Sequence, residues 1–69
     1  MKQILEFKHN NSIIRLPYTV VFSKRRSIGF EVKPGGEIIV RLPQRMSVKA
    51  ALPVIEERKD WIYDAYLKQ

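Results

Sequence analysis

A chain of 69 residues forms one small domain at most, and this chain has a net charge of +6 and 45% hydrophobic residues. It has no cysteine, which excludes a disulfide framework and a thiolate zinc site, and no apolar run approaches the roughly 20 residues that span a bilayer. We therefore expect a single domain over residues 1–69, located in the cytoplasm and without a membrane partner. Its charge is uneven, because residues 1–46 carry nine cations and three acids, whereas residues 47–69 carry four of each.

The first third of the chain is typical of a β-hairpin. Residues 4–8 alternate weakly, and Asn10 and Asn11 tolerate the positive φ angles of a tight turn. Residues 12–22 are rich in β-branched and aromatic side chains that alternate between two faces. Pro17 cannot donate a hydrogen bond within a sheet, so it indicates a sheet edge, a bulge or a break near that point.

A second hairpin is predicted over residues 27–42. Its turn is Pro34, Gly35 and Gly36, a combination that favours a reversal of the chain. Apolar and polar residues alternate on both sides of this turn, which is the pattern of half-buried strands. The residues expected on the core face are Ile28, Phe30, Val32, Ile38, Val40 and Leu42.

A helix is predicted after Ser47, whose hydroxyl can accept a hydrogen bond from the first turn. Apolar residues then recur at three- and four-residue spacing as far as Tyr66, and Pro53 indicates a kink or a late helix start. Trp61 and Ile62 are predicted to fasten this helix to the sheet, with Phe30 as a further structural anchor. The fold class is therefore α+β, an antiparallel β-meander of about four strands and two hairpins, followed by one C-terminal helix packed on the sheet.

The residue types needed for catalysis do not form a recognisable constellation. His9 is the one histidine, beside a predicted turn, whereas a catalytic zinc typically needs three protein ligands. The serines lie in strand, turn or cap contexts, and Glu56 and Glu57 are expected on the outer face of the helix. We therefore predict no catalytic residue, no metal ligand and no cofactor within this chain.

The basic run Lys24, Arg25 and Arg26 is the strongest candidate for a binding surface. Together with Arg15 and Arg41 it is predicted to contact an anion or a partner, and Lys33 and Arg45 would extend the same basic face. The aromatic residues share faces with the aliphatic ones, which favours core packing over base stacking. A solvated loop that also protects a sheet edge is the alternative interpretation of the run.

Several of these elements, in order, resemble the N-terminal region of the YgjP-like metal-dependent hydrolases, which belong to a zinc metallopeptidase superfamily. The matching elements are the Ser-Lys-Arg-Arg run at 23–26, the glycine turn, the strand ending at Pro43, Ser47, and the pair Trp61 and Ile62. The resemblance spans about residues 18–67, and Pro53 departs from the family pattern. It implies that zinc and a His-Glu-x-x-His helix belong to a full-length parent protein, beyond the residues of this chain.

Three functions follow as expectations. The first is a non-catalytic, structural or substrate-contacting N-terminal domain, partnered by the catalytic domain of the same parent and by a peptide or protein substrate. The alternative is a small basic nucleic-acid-binding module, whose affinity would fall steeply with salt. A third is a protein-interaction domain that docks through the apolar stripe of its helix.

Overall fold

A computed structural model describes residues 2–69 as four strands and two helices. The elements are β1 (Lys2–His9), β2 (Ser12–Ser23), β3 (Gly29–Val32), β4 (Ile38–Pro43), α1 (Val48–Glu57) and α2 (Lys59–Leu67). The strands form one sheet in the order β1-β2-β4-β3, and both helices follow it in the chain. The predicted α+β class is confirmed. Neither helix of the described chain is long and apolar enough to cross a membrane.

The first hairpin is built as the sequence predicts. Asn10 and Asn11 have φ angles of 49° and 66°, and His9 faces Ser12 across the turn. Positive φ at both central residues is the requirement of the turn type whose twist matches paired strands, and asparagine adopts it at low cost. Leu5 and Phe7 are buried on one face of this hairpin.

Pro17 lies inside β2 without interrupting it. Hydrogen-bonded and non-bonded pairs alternate along an antiparallel ladder, and counting from the His9–Ser12 pair places Pro17 opposite Ile4 in a non-bonded pair. The nitrogen of Pro17 therefore faces away from β1, and pairing with β4 begins only at the next residue, Tyr18. The missing N–H thus costs the sheet no hydrogen bond. On the β4 side Pro17 has no paired residue, so its position there is that of an edge strand, as predicted.

The second hairpin closes through the glycine turn. The Gly36 amide donates to the Lys33 carbonyl at 2.9 Å, and the Lys33 amide donates to the Glu37 carbonyl at 2.8 Å. Gly35 and Gly36 have φ angles of 93° and 90°, a region that residues with a Cβ rarely adopt. A Cβ at Gly36 would also lie 3.0 Å from Cε1 of Tyr66 in α2, whereas a Cβ at Gly35 would meet open space.

These two glycines provide a matched pair of substitutions. Gly35→Ala is expected to lower the free energy of unfolding by about 1–2 kcal/mol through backbone strain alone. Gly36→Ala should cost more, because the added methyl also presses on the Tyr66 ring. Chemical denaturation measures both changes, and adding Tyr66→Ala should close the gap between them. Equal losses of unfolding free energy in the two single variants would contradict the contact between a Cβ at position 36 and the Tyr66 ring.

The pairing of β2 with β4 differs from a simple meander. These strands are neighbours and run parallel, from Tyr18 beside Ile38 to Ser23 beside Pro43. Residues 24–28 carry the chain past the position of β4, so that β3 pairs antiparallel with β4 at the outer edge. Burial explains the order, because every residue of β3 is only half-buried, whereas Val40 and Leu42 of β4 are fully buried. The most apolar strand therefore occupies the interior of the sheet.

The helical segment starts as predicted and is interrupted once. Ser47 caps α1, since its hydroxyl accepts from the Ala50 amide at 3.1 Å. Pro53 lies inside α1, where it forfeits one hydrogen bond within the second turn, and the helix continues beyond it. The interruption comes at Arg58, whose φ and ψ of −97° and 7° separate α1 from α2.

The core lies between the helices and one face of the sheet. Its most deeply buried side chains are Val40, Leu42, Ala51, Ile55 and Ile62. Burial, reinforced by the negative charge of Glu56, raises the pKa of the Tyr18 hydroxyl, so this core residue stays neutral. Phe30 packs against the core from β3 as a partly buried side chain.

Trp61 does not fill the role that its position in the apolar stripe predicted. Its side chain is 51% exposed, whereas the neighbouring Ile62 is 1% exposed. The prediction of a buried Trp61 anchor is therefore wrong, and Ile62 is the anchor of α2. The buried residues of the two helices, Ala51, Ile55 and Ile62, keep four- and seven-residue spacing across Arg58, so the core face centres on Ile62 and leaves Trp61 at its margin.

Candidate functional site

Two of the predicted anion contacts, Arg15 and Arg41, are engaged in ion pairs. Arg15 donates from Nε to Oε2 of Glu6 at 2.7 Å across the first hairpin, on an exposed surface. Arg41 donates to Glu31 across the β3–β4 pair, and this hydrogen bond lowers the pKa of the Glu31 carboxyl. Each arginine therefore already has a carboxylate partner, and the two lie at different places along β2 and β4.

The basic run forms a short, exposed loop directly after β2. The Arg25 amide donates to the Ser23 carbonyl at 2.9 Å, and the same carbonyl accepts from the Gln44 amide at 3.1 Å. A Cβ added at Gly29 would lie 2.7 Å from Nη2 of Arg25, so this guanidinium lies across the Gly29 backbone. The loop is thus attached both to the start of β3 and to the segment that follows β4.

The parallel pairing of β2 and β4 brings further cations to this loop. Because carboxyl ends of parallel strands meet at the same edge of a sheet, the segments after Ser23 and after Pro43 are neighbours, as the Gln44 hydrogen bond shows. We call the resulting surface the cationic end. Its five side chains, all exposed, are Lys24, Arg25, Arg26, Arg45 and Lys49.

Within residues 2–69, no ion pair neutralises a cation of the cationic end. No aspartate or glutamate occurs in residues 22–30 or 42–55. Within residues 2–69, the ion pairs use Arg15, Arg41 and Lys68, and none uses a cation of this surface. Lys49 is not among the predicted contacts, because its assignment to this surface depends on the parallel strand pair and on its place in the first turn of α1.

One aromatic side chain borders the cationic end. Phe22 lies two residues before Lys24 and remains 40% exposed, although it lies on the core face of β2 opposite Leu42. By contrast, Phe7 and Tyr18 are buried, as predicted from their alternation with aliphatic residues. A half-exposed ring close in sequence to the basic run is thus available to a planar partner.

Trp61 lines a separate, shallow surface on the helical side. Together with Ile28, Phe30 and Arg58 it borders a cavity of about 200 Å³. Three of these four side chains are apolar, and Trp61 is the most exposed aromatic contributor. This surface is therefore suited to contact with another protein surface rather than to acid–base chemistry.

The free edge of β1 is a third exposed feature. β1 has β2 as its one neighbour in the sheet, and by the alternation described above its outward backbone groups belong to alternate residues. We call Lys2, Ile4, Glu6 and Lys8 the open edge; all four are exposed. Unpaired N–H and C=O groups along such an edge can pair with another extended chain.

The residues present do not fit a zinc ion. In the described part of the chain, no three histidine, cysteine, aspartate or glutamate side chains are grouped so that they could hold a metal. The ring of His9 packs edge-on against Tyr63 with 5.0 Å between centroids, beside the Asn10 side chain.

Comparison with family models, with curated proteins and with solved structures finds no match to this chain. The open edge, the cationic end and the Trp61 cavity are the candidate functional surfaces of the described residues.

Proposed function

We propose that this chain is a non-catalytic N-terminal domain of a metal-dependent hydrolase of the YgjP-like type that its sequence resembles, and that it contacts extended peptide substrates. The observation that carries the proposal is the open edge of β1. A peptide that adds as a further strand obtains main-chain hydrogen bonds from alternate residues, whatever its sequence. Contact of this kind suits a hydrolase whose substrates are extended peptide segments.

The side chains of the open edge limit self-association of the protein through this strand. Lys2, Glu6 and Lys8 are charged, and charged side chains on edge strands discourage uncontrolled edge-to-edge pairing. Their side chains lie on the face of the sheet opposite the core, since Leu5 and Phe7 occupy the core face. The backbone of the edge consequently stays accessible without exposing an apolar strand.

The half-exposed Trp61 supports the second part of the proposal, a catalytic domain in the same parent protein. The Trp61 cavity offers apolar surface on the helical side, away from the open edge. In the proposed parent this surface receives the catalytic domain, which carries the zinc ion and the His-Glu-x-x-His helix. The coding sequence after residue 69 tests this part: that motif is expected downstream, and a stop codon in its place would contradict it.

Peptide addition at the open edge is testable by nuclear magnetic resonance. A capped peptide of alternating threonine and valine, titrated into the labelled protein, should shift the amides of Ile4, Glu6 and Lys8. The amides of Leu5 and Phe7 should move less, because they are directed toward β2. This alternation is the expected result, since only outward N–H groups gain new partners.

Ile4→Pro removes one outward N–H while leaving the bonds between β1 and β2 in place, so it should abolish the peptide-dependent shifts. Ile13→Pro is the matched control, because Ile13 is equally exposed and its N–H faces away from β1, on the other side of β2. Thermal unfolding verifies that both variants fold. Equal peptide binding by the two proline variants would contradict addition at the open edge.

A further inference from the structure

We infer that the cationic end binds the phosphate backbone of a single-stranded nucleic acid, with Phe22 stacking on a base. This inference is independent of the proposed peptide contact, because it concerns the opposite side of β2 and different residues. It rests on the convergence of two loops that are distant in sequence and adjacent in the sheet. The Ser23 carbonyl, which accepts from both Arg25 and Gln44, holds these loops together.

The charge of the cationic end indicates an anionic partner with several charges. Lys24, Arg25 and Arg26 arrive from β2, whereas Arg45 and Lys49 arrive from β4 and the first turn of α1. Like charges on neighbouring segments repel one another, which lowers the stability of the isolated domain and favours binding of a polyanion. The planar guanidinium group of arginine can in addition donate two hydrogen bonds to the oxygens of one phosphate.

The neighbouring Phe22 distinguishes a nucleic acid from other polyanions. An acidic peptide or an anionic lipid surface would neutralise the cations but would offer the exposed ring no stacking surface. Bases of a single strand have accessible faces on which aromatic rings stack, whereas those of a duplex are stacked on each other. A basic groove with an aromatic platform is the recurring arrangement in proteins that bind single strands.

The salt dependence of binding gives the sharpest test. Fluorescence anisotropy with labelled oligothymidylate and oligouridylate of about 12 nucleotides covers a site of this class in both DNA and RNA form. If all five cations contact phosphates, the plot of log affinity against log salt should have a slope of about −3.5, at roughly 0.7 per contact.

Replacing Lys24, Arg25 and Arg26 by glutamine should reduce the magnitude of that slope to about 1.4, because three contacts are lost. Replacing Lys8, Arg15 and Lys68 by glutamine is the matched control, since it removes the same charge from positions away from the cationic end. This control is expected to keep the slope of the unaltered protein. Equal losses in both triple variants, or a slope near zero, would overturn the inference.

Phe22→Leu separates stacking from charge. It should weaken binding about tenfold, as loss of a stacked base does, while leaving the salt slope unchanged. Competition by polyglutamate or by vesicles of anionic lipid as strong as that by unlabelled oligonucleotide would overturn the assignment to nucleic acid. The Ile4→Pro variant should bind the oligonucleotides normally, so a failure of this inference is distinguishable from a failure of the peptide proposal.

Discussion

Ile62→Ala is expected to lower the free energy of unfolding by about 2–4 kcal/mol. Ile62 is 1% exposed and anchors α2 in the core, so its truncation leaves a cavity that the two short helices cannot fill without shifting. A domain of this size has a total stability of roughly 3–10 kcal/mol, so the variant should lose a large part of it. Urea denaturation monitored by tryptophan fluorescence and by circular dichroism measures the change.

Two substitutions calibrate this prediction. Ile4→Ala removes the same atoms from a side chain that is 65% exposed, and it should cost less than about 1 kcal/mol. Trp61→Ala, followed by circular dichroism, should cost clearly less than Ile62→Ala although it removes a larger side chain. If Trp61→Ala proved the more destabilising of the two, the assignment of Ile62 as the anchor would be wrong.

Leu42→Ala is expected to be at least as damaging, with a loss of about 2–5 kcal/mol. Leu42 is fully buried in β4, beside Phe22 of β2, and it contacts the core from the interior of the sheet. Truncation there weakens the contact of both hairpins with the helices. The same denaturation measurement reports the loss, with an unchanged dependence on urea if the unfolded state is unaffected.

Leu52→Ala provides the matched control for the sheet interior. It is the same chemical change in α1, at a side chain that is 43% exposed. Its cost should stay below about 1.5 kcal/mol, since much of the removed surface already contacts water. Similar losses for Leu42→Ala and Leu52→Ala would show that β4 is not the centre of the core.

Local features of this fold could be predicted from the sequence because local residues determine them. Asn10 and Asn11 specify the first turn, Gly35 and Gly36 specify the second, and Ser47 caps the helix where its hydroxyl is needed. Each choice depends on one or two residues and their backbone angles. The order of strands in the sheet is not determined locally in this way, because it depends on which strand is most apolar and therefore gains most from an interior position.

The parallel neighbours β2 and β4 could not be predicted from alternation alone. Consecutive strands usually pair, and nothing within residues 24–28 marks them as a passage across the end of a third strand. The exposure of Trp61 has a similar origin, since helical spacing places both Trp61 and Ile62 in the apolar stripe and packing on the sheet decides which of them is covered. Both the strand order and the exposure of Trp61 therefore depend on tertiary packing.

The candidate surfaces were predictable to different degrees. Lys24, Arg25 and Arg26 are adjacent in the sequence and were recognised directly, whereas Lys49 joins them only through the strand order. Arg15 and Arg41 belonged to the predicted set, yet their carboxylate partners face them from neighbouring strands. Charge counts along the chain do not reveal such pairs, since the register of the sheet creates them.

The shared strand β2 also has a consequence for how the chain folds. Each hairpin involves contacts between residues close in sequence, but the ladder from Tyr18–Ile38 to Ser23–Pro43 joins segments on either side of β3. Such non-local pairing must first close a long loop, at a cost in chain entropy, before its hydrogen bonds and apolar contacts form. This slows folding relative to local hairpin formation. The rate-limiting step is thus expected to be the docking of two preformed hairpins, and the cations after Ser23 would repel those after Pro43 at that moment. Salt should therefore accelerate folding by screening this repulsion.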